Sequence, residues 1–407
     1  MIVYTTFTST APPRLTKVYG LDADGKLTKT TAASMTAGRA VRTEALDLHD
    51  LGAQLAALTP AQAVSWGVAE RSELVITCAV DEAPDVGLMA RTRANFAFAK
   101  GPGIMMLDHD GMPDAPLDRD ELRARLIDAV PELQDAPMLW RPSASAGLTA
   151  PDGRALTGLH RHRLYIPVTD ASLIPEAGKR LVARLEAVGL GWFEVGQAGQ
   201  ALRRCIVDAS VWQPERLDFA AAPILADGIT RPVEDCVVFG DAEALFDLKS
   251  IEADDATRKA AGKRMAAARE AVADRCKTRR AAWASERAPA LAQARSITVE
   301  KAHAVLTRAS EHCILMGHFE LVAQDGRRVS VAEVLDDPDR WNNARFADPL
   351  GSYPEDRRVA FVNLRSGGRP YLWSHGHGGM RFELVRQSAR IQVGKGLRIA
   401  TTDAVLQ

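Results

Sequence analysis

Residues 103–111 read Gly103-Ile104-Met105-Met106-Leu107-Asp108-His109-Asp110-Gly111, and this stretch decides the fold. Its apolar run has the character of a buried strand and ends in two carboxylates. Side chains at positions i and i+2 of a strand point to the same face. Asp108 and Asp110 should therefore lie side by side at the end of a strand, where their negative charges repel each other. Two divalent cations with oxygen ligands would relieve that repulsion and could drive phosphoryl transfer.

The same residues also fit a simpler structure. Asp-x-Asp is a common pattern, and a solvated strand end followed by an Asp-Gly turn would produce it without any metal. The choice between the two depends on what the rest of the chain places beside Asp108.

The bulk composition is that of an ordinary globular protein. The chain has 407 residues and a mass of 44.0 kDa, enough for two or three domains. It is 46% hydrophobic and 25% charged, with a formal net charge of -1, so any basic surface for nucleic acid must be local. None of the five cysteines forms a C-x-x-C pair, which argues against a zinc ribbon or disulfide framework and favours the cytoplasm.

No targeting segment or membrane anchor is predicted. Residues 1–6 lack the basic start and apolar core of a signal peptide. No apolar stretch approaches the ~18 residues that a membrane-spanning helix needs.

Up to about residue 230, short strands and helices alternate in the pattern of an α+β sheet protein. Leu48, Leu51, Leu55 and Leu58 fall on one helical stripe, and residues 73–80 are rich in β-branched strand formers. A capping box of Asp118 and Glu121 should begin a helix that Pro131 stops. Strands are further predicted at 164–168 and 202–207, with a helix between them that Pro175 begins and Gly189 ends.

The chain changes character near residue 240. Residues 251–309 have helical periodicity and contain thirteen Lys or Arg against seven Asp or Glu. This segment is either a solvated helical face or a contact surface for a nucleic-acid backbone. Beyond it, turns at 325–326 and 374–379 each separate two short strand patterns, which predicts two hairpins.

Three motifs follow one another in the first 230 residues. They are the Asp108/Asp110 pair, the Ser143-to-Gly147 stretch that leads to Gly158-Leu159-His160-Arg161-His162-Arg163-Leu164, and Arg203-Arg204-Cys205-Ile206-Val207-Asp208. This order resembles the archaeo-eukaryotic primase superfamily, specifically the primase-polymerases of phages and plasmids, over roughly residues 70–230. Three short motifs in order are more specific than any one of them.

The resemblance implies a fold and a chemistry. The catalytic domain would be a palm-like (RRM-like) α+β sheet, and the metal ligands would be Asp108, Asp110 and Asp208. These carboxylates would hold two Mg²⁺ or Mn²⁺ ions that act on a nucleoside triphosphate, either NTP or dNTP. The reaction would be template-directed primer synthesis on the single-stranded DNA of a mobile element. Such a transfer depends mostly on positioning and charge neutralisation around the phosphates.

The second motif departs from the family pattern, which has a histidine entering a strand after Ser-x. Here the window holds His160, His162 and Arg163, and its register is ambiguous. Strand alternation puts His160 and His162 on one face and Arg163 on the other. The predicted nucleotide-binding set is therefore Ser143, Ser145, His160, His162, Arg163 and Arg204, with His162 and Arg163 favoured. Each of these residues is equally compatible with an exposed loop or strand-entry position.

The predicted organisation has three parts. Residues 1–235 form the catalytic domain, 236–312 a basic helical accessory region, and 313–407 a small α+β domain that resembles the region before the helicase of primase-helicases. No G-x-x-x-x-G-K-[ST] is present, so a replicative helicase, if the protein works with one, would lie in cis on a longer chain or act in trans. His375 and His377 could bind a metal, but a glycine-rich turn explains them better.

Two other functions compete with the primase hypothesis. His160-Arg161-His162 has the spacing of the His-x-His metal pair of rolling-circle endonucleases, although a clear downstream catalytic tyrosine is missing from the first 230 residues. The chain could also be a non-enzymatic DNA-binding replication module whose aspartates are only surface charges.

Overall fold

The structure is a computed structural model that describes residues 1–30, 35–77, 82–112, 115–234, 236–351, 357–376, 379–386, 389–393 and 396–400. It is a mixed α+β protein, as the sequence predicts. The helices are α1 (Leu48–Ala56), α2 (Arg119–Ala129), α3 (Ile174–Ala187), α4 (Asp255–Ala271), α5 (Ala273–Arg295), α6 (Val299–His312), α7 (Val331–Asp336) and α8 (Pro338–Trp341).

The strands are short and distributed over several sheets. They are β1 (Ile2–Ala11), β2 (Val18–Leu21), β3 (Leu27–Thr30), β4 (Ala37–Ala45), β5 (Gln62–Ser65), β6 (Glu73–Thr77), β7 (Leu88–Ala90), β8 (Gly103–His109), β9 (Met138–Pro142), β10 (His162–Val168), β11 (Gly191–Val195), β12 (Ala201–Cys205), β13 (Ile224–Leu225), β14 (Val237–Phe239), β15 (Ile314–Met316), β16 (Glu320–Val322), β17 (Arg328–Ser330), β18 (Arg345–Phe346), β19 (Ala360–Asn363), β20 (Tyr371–Ser374), β21 (Met380–Val385), β22 (Ala389–Val393) and β23 (Gly396–Ala400).

The chain divides into two compact units. The first unit contains Met1–Gly191 and Arg204–Met265, and the second contains Trp192–Arg203 and Ala266–Gln407. β14 pairs with β9, so residues just after 235 belong to the first unit. The three-part division of the chain stays a prediction.

Besides a three-stranded sheet with the order β13-β2-β3, the first unit contains two larger sheets. One has the order β5-β1-β4-β6-β7, and the other is an antiparallel sheet with the order β14-β9-β10-β8. In the four-stranded sheet, Met106 lies opposite Tyr165, whose ring contacts Trp66 next to β5. On the other face, Trp140 is covered by the Arg119 guanidinium at the start of α2. Both faces are therefore buried, which explains the continuous apolar run of β8.

Most local predictions for the first unit are confirmed. Leu48, Leu51 and Leu55 are buried on α1, and Asp118 forms the predicted capping box with Glu121 at the start of α2. The predicted 202–207 strand is instead β12, which ends at Cys205 and pairs with β11 in a separate two-stranded sheet. Asp208 therefore follows a strand that is not part of the β8 sheet.

The second unit has its own core. α5 and α6 supply Trp283 and Leu306, which pack with strands of the sheet β15-β21-β20-β19-β18. Both predicted hairpins are confirmed, since β16 pairs antiparallel with β17 and β20 with β21. His375 is exposed beside Phe361, and His377 lies outside the described residues.

None of the described helices combines the length and apolar character needed to cross a bilayer.

The capping box of α2 gives a stability test. Asp118→Ala should lower the free energy of unfolding by about 1 kcal/mol, because two backbone N–H groups lose the carboxylate that accepts from them. Urea unfolding followed by circular dichroism measures the change. Asp128→Ala, at an exposed position in the last turn of the same helix, is the control and should be neutral or slightly stabilising. Equal losses in both variants would contradict the capping role.

Candidate functional site

A row of charged side chains crosses the β8 sheet. Arg163 of β10 lies directly opposite Asp108 of β8 on one side and Arg141 of β9 on the other. Residues that lie opposite each other on neighbouring strands point to the same face. The carboxylate and the two guanidinium groups therefore share one face, near the end of β8.

The structure brings Asp208 to this row, although 100 positions separate it from Asp108 in the sequence. The Asp208 backbone N–H donates to the Asp108 carbonyl at 2.8 Å. The Asp208 side chain caps a short 3₁₀ turn, and its two oxygens accept from the backbone N–H and the hydroxyl of Ser210, at 2.8 and 2.6 Å. A carboxylate has about four acceptor sites, so these bonds leave room for a further ligand.

Asp110 lies just beyond the strand rather than within it. β8 ends at His109, and Asp110 is exposed. It is close enough to Asp108 to help raise the pKa of that carboxyl, and it opposes the lowering of the Lys17 pKa. Asp110 therefore lies at the acidic end of the row and is more exposed to solvent than Asp108.

A fourth carboxylate, Asp218, was not predicted. Its side chain is almost completely buried and lies 2.6 Å from the Arg163 guanidinium, while the Tyr165 hydroxyl donates to it at 3.0 Å. The Arg163 Nε lies 3.7 Å from the Asp108 carboxylate. Arg163 is therefore held between two carboxylates. No motif predicted this, because Asp218 follows an irregular segment whose path cannot be read from periodicity.

The environment of Asp108 favours its protonated form. Burial raises its pKa to about 7, Arg163 opposes that rise, and Asp110, Asp218 and Asp208 add to it. One of its carboxylate oxygens, Oδ1, is buried without a hydrogen-bond partner among the described residues. A buried carboxylate without a donor is a costly arrangement that a bound cation would relieve.

The histidines of the second motif do not join this row. His162 is fully buried on the opposite face, where its Nδ1 accepts from the Trp140 indole at 3.1 Å and its Nε2 donates to the Leu117 carbonyl at 2.8 Å. Burial lowers the pKa of His162. His160 is exposed, and its ring lies over Gly158, where a Cβ atom would collide with it. Strand alternation within β10 puts Arg163, not His162, on the face of Asp108, and His160 lies before the strand begins.

A small basic cavity adjoins the charged row. Arg141, Arg163 and Arg231 line it, together with Ala144 and Pro223. Lys17 lies nearby, and burial, followed by the positive charges of Arg163, Lys29 and Arg161, lowers its pKa to about 8. Lys17, Arg141 and Arg231 were not predicted, because only the register between strands and the path of the loops bring them together.

The remaining predicted residues lie around this cavity or on β12. Ser143 is buried, and its backbone N–H donates to the Arg161 carbonyl at 2.9 Å. Ser145 is half-buried and faces the Tyr19 hydroxyl. Arg204 is half-buried on β12, four positions before Asp208.

The donor set around Asp108 suits a hard cation. Within the described ranges, no three His, Cys, Asp or Glu side chains stand ready as a complete ligand set for a metal ion. Mg²⁺, however, is usually held by one or two carboxylates together with waters and substrate phosphates rather than by a full protein cage. Asp108 and Asp208, both oxygen donors, fit that kind of site.

Comparison of the chain with protein-family models, curated proteins and solved structures finds no match.

The raised pKa of Asp108 predicts a pH-dependent stability difference in metal-free buffer. Because the folded chain holds this proton more tightly than the unfolded chain, stability is lost as the pH rises from about 4 through about 7. Asparagine does not titrate. Asp108→Asn should therefore gain on the order of 2 kcal/mol in unfolding free energy, relative to the unaltered chain, between pH 5 and pH 8.

Urea unfolding at the two pH values, with a chelator present, measures this gain. Asp152→Asn, in an exposed turn, is the control and should show no such gain. A gain for Asp108→Asn that is the same at pH 5 and pH 8 would contradict the assignment.

Proposed function

We propose that the first unit is a metal-dependent nucleotidyltransferase of the primase-polymerase type, which copies single-stranded DNA using Mg²⁺ or Mn²⁺ and nucleoside triphosphates. One observation carries the proposal. The Asp208 N–H donates to the Asp108 carbonyl, so the backbone segments that carry these two carboxylates are joined at the end of β8, and the charge of Asp208 adds to the raised pKa of Asp108. The four-stranded antiparallel sheet that holds Asp108 would then be the palm-like sheet.

The acidic residues would bind the divalent cations. A pair of such ions would activate the attacking 3′-hydroxyl and neutralise charge on the phosphates. Asp108 offers a buried oxygen that no described residue donates to, and Ser210 holds Asp208 in a fixed orientation. Asp110, exposed beyond the strand, can adjust to the ions once they are present.

The basic residues would bind the triphosphate. Arg163 and Arg141 lie on the next two strands, in register with Asp108, so a positively charged region adjoins the carboxylates. The Arg163 Nε–H is buried without an acceptor among the described residues, and a guanidinium can bind phosphate through two parallel hydrogen bonds. Arg231 and Lys17 extend the same positive region. An acidic cluster beside a basic cavity is the charge distribution that a metal-bound triphosphate requires.

The geometry gives no support to the rolling-circle endonuclease alternative. Both ring nitrogens of His162 are engaged, one with Trp140 and one with the Leu117 carbonyl, so His162 does not offer a metal ligand. The non-enzymatic DNA-binding module remains the competing function, and an activity assay separates it from the polymerase.

Primer synthesis on a single-stranded template tests the proposal, with Mg²⁺ or Mn²⁺ and either ribo- or deoxynucleoside triphosphates. Asp108→Asn and Asp208→Asn should each reduce synthesis at least ~100-fold, since each removes a negative charge that the cations need. Circular dichroism should show both variants folded, because asparagine can still cap the turn at position 208 and removes a buried charge at position 108.

Asp170→Asn is a closely matched control. Asp170-Ala171-Ser172 repeats the sequence of Asp208-Ala209-Ser210, and Asp170 caps its own 3₁₀ turn through Ser172 in the same way. It lies near the start of β8, where the Ala171 N–H donates to the Gly101 carbonyl. Asp170→Asn should leave synthesis intact. No product from the unaltered chain, or equal loss in all three variants, would contradict the proposal.

The basic helices are the proposed template contact. Lys259 and Lys263 are exposed one turn apart on α4, whereas Trp283 and Leu306 belong to the core of the second unit. Deleting residues 251–309 would therefore remove core residues, and side-chain changes are the better test.

Lys259→Gln combined with Lys263→Gln should weaken binding to single-stranded DNA. The slope of log affinity against log salt should decrease in magnitude by roughly 1.4, because each of the two lost phosphate contacts contributes about 0.7. Fluorescence anisotropy over a salt series measures this slope. Lys179→Gln, on α3 beside Glu176, is the control and should leave the slope unchanged. An unchanged slope in the double variant would mean that this face does not contact the template.

A further inference from the structure

His109 lies between Asp108 and Asp110 in sequence, but its ring is on the other face of the sheet. It is 1% exposed, and its Nδ1 lies 2.7 Å from the Ile206 carbonyl oxygen. A carbonyl oxygen only accepts, so Nδ1 must carry the hydrogen. The bond therefore runs from a side chain of β8 to the backbone two residues before Asp208.

A second histidine holds the ring of His109 in place. The rings of His109 and His162 are stacked, with centroids 5.8 Å apart and planes 7° from parallel. His162 is itself fixed by its bonds with the Trp140 indole and the Leu117 carbonyl. The orientation of the His109 ring thus depends on His162, which is itself held by Trp140 and by the Leu117 carbonyl just before α2.

Residues 206–212 are attached to the outer edge of β8 at three described points. The Ile206 carbonyl accepts from His109, the Asp208 N–H donates to the Asp108 carbonyl, and the Trp212 indole donates to the Met106 carbonyl at 2.8 Å. Of these, the His109 bond is the one made by a β8 side chain, and it holds the backbone two residues before Asp208. Without the His109 bond, the backbone that leads into Asp208 would lose its attachment to β8 at Ile206.

We propose that His109 is a positioning residue of the carboxylate centre, which sets Asp208 against Asp108 by holding the Ile206 carbonyl. The inference rests on the proposed function, because it takes Asp108 and Asp208 to be ligands of the same cations. His109 itself touches neither the cations nor the nucleotide. Its effect on them passes through the backbone of residues 206–208.

The inference can be tested without turnover by measuring Mn²⁺ binding to the full chain. The electron paramagnetic resonance signal of free Mn²⁺ reports how much of the ion remains unbound. His109→Leu fills most of the ring's volume but cannot donate, and it should weaken Mn²⁺ binding roughly tenfold, the usual size for loss of a residue that orients a ligand. In the Asp208→Asn background the same change should cost less than about twofold, because the ligand that it positions is already gone.

Two polar variants keep the test valid if His109→Leu does not fold. His109→Asn places an amide N–H where Nδ1 stood and should retain near-normal Mn²⁺ binding. His109→Gln is also polar, but it places its N–H near the position of Nε2 and should bind Mn²⁺ as weakly as the leucine variant. A purely packing role predicts the opposite order, since glutamine is closer in size to histidine.

The outcomes separate the two claims. Equal Mn²⁺ binding in the Asn and Gln variants, or an undiminished His109→Leu effect in the Asp208→Asn background, would overturn the inference and leave the proposed function standing. If the unaltered chain shows no Mn²⁺ binding that Asp108→Asn removes, the proposed function fails and the inference fails with it.

Discussion

The outer edge of β8, which no described strand pairs with, is the constraint on which the site depends. β8 is the last strand of its sheet, so its outward carbonyl groups need donors from elsewhere in the chain. The Asp208 N–H and the Trp212 indole supply two of them. Because satisfying this edge requires residues 206–212, the fold brings a distant aspartate to the end of the strand that carries Asp108. The geometry of the acidic centre is thus a by-product of completing a sheet edge.

The charges around that edge are arranged as neighbours of opposite sign. Asp108 and Asp218 both face Arg163. The positively charged side chains then continue from Arg163 through Arg141 to Arg231. Each carboxylate is costly to bury alone, and each guanidinium would repel its neighbours without the acids. The two sets therefore stabilise each other, and the boundary between them is where a ligand carrying both metal ions and phosphates would find complementary charge.

Sequence reasoning predicted the local elements well and the contacts between them poorly. The α2 capping box, the first three leucines of the α1 stripe and both hairpins depend on residues close in sequence and are confirmed, whereas Leu58 lies beyond the end of α1. The proximity of Asp208 to Asp108 came from motif order, since no periodicity shows it. Asp218, Lys17 and Arg231 were missed because their positions depend on loop paths and strand register. His162 was included with Arg163 in the predicted nucleotide-binding set, but it lies on the buried face opposite Asp108, because alternation says which residues share a face and not which face carries the site.

Arg163 has one further consequence, for the native state in the absence of ions. Its guanidinium lies between Asp108 and Asp218 and, unlike a metal ion, is covalently part of the chain. Many small metal-dependent domains remain unfolded until the ion arrives, because nothing else balances their clustered ligands. Here a covalently attached positive group already lies among the acids, so the native fold balances part of their charge without any bound ion.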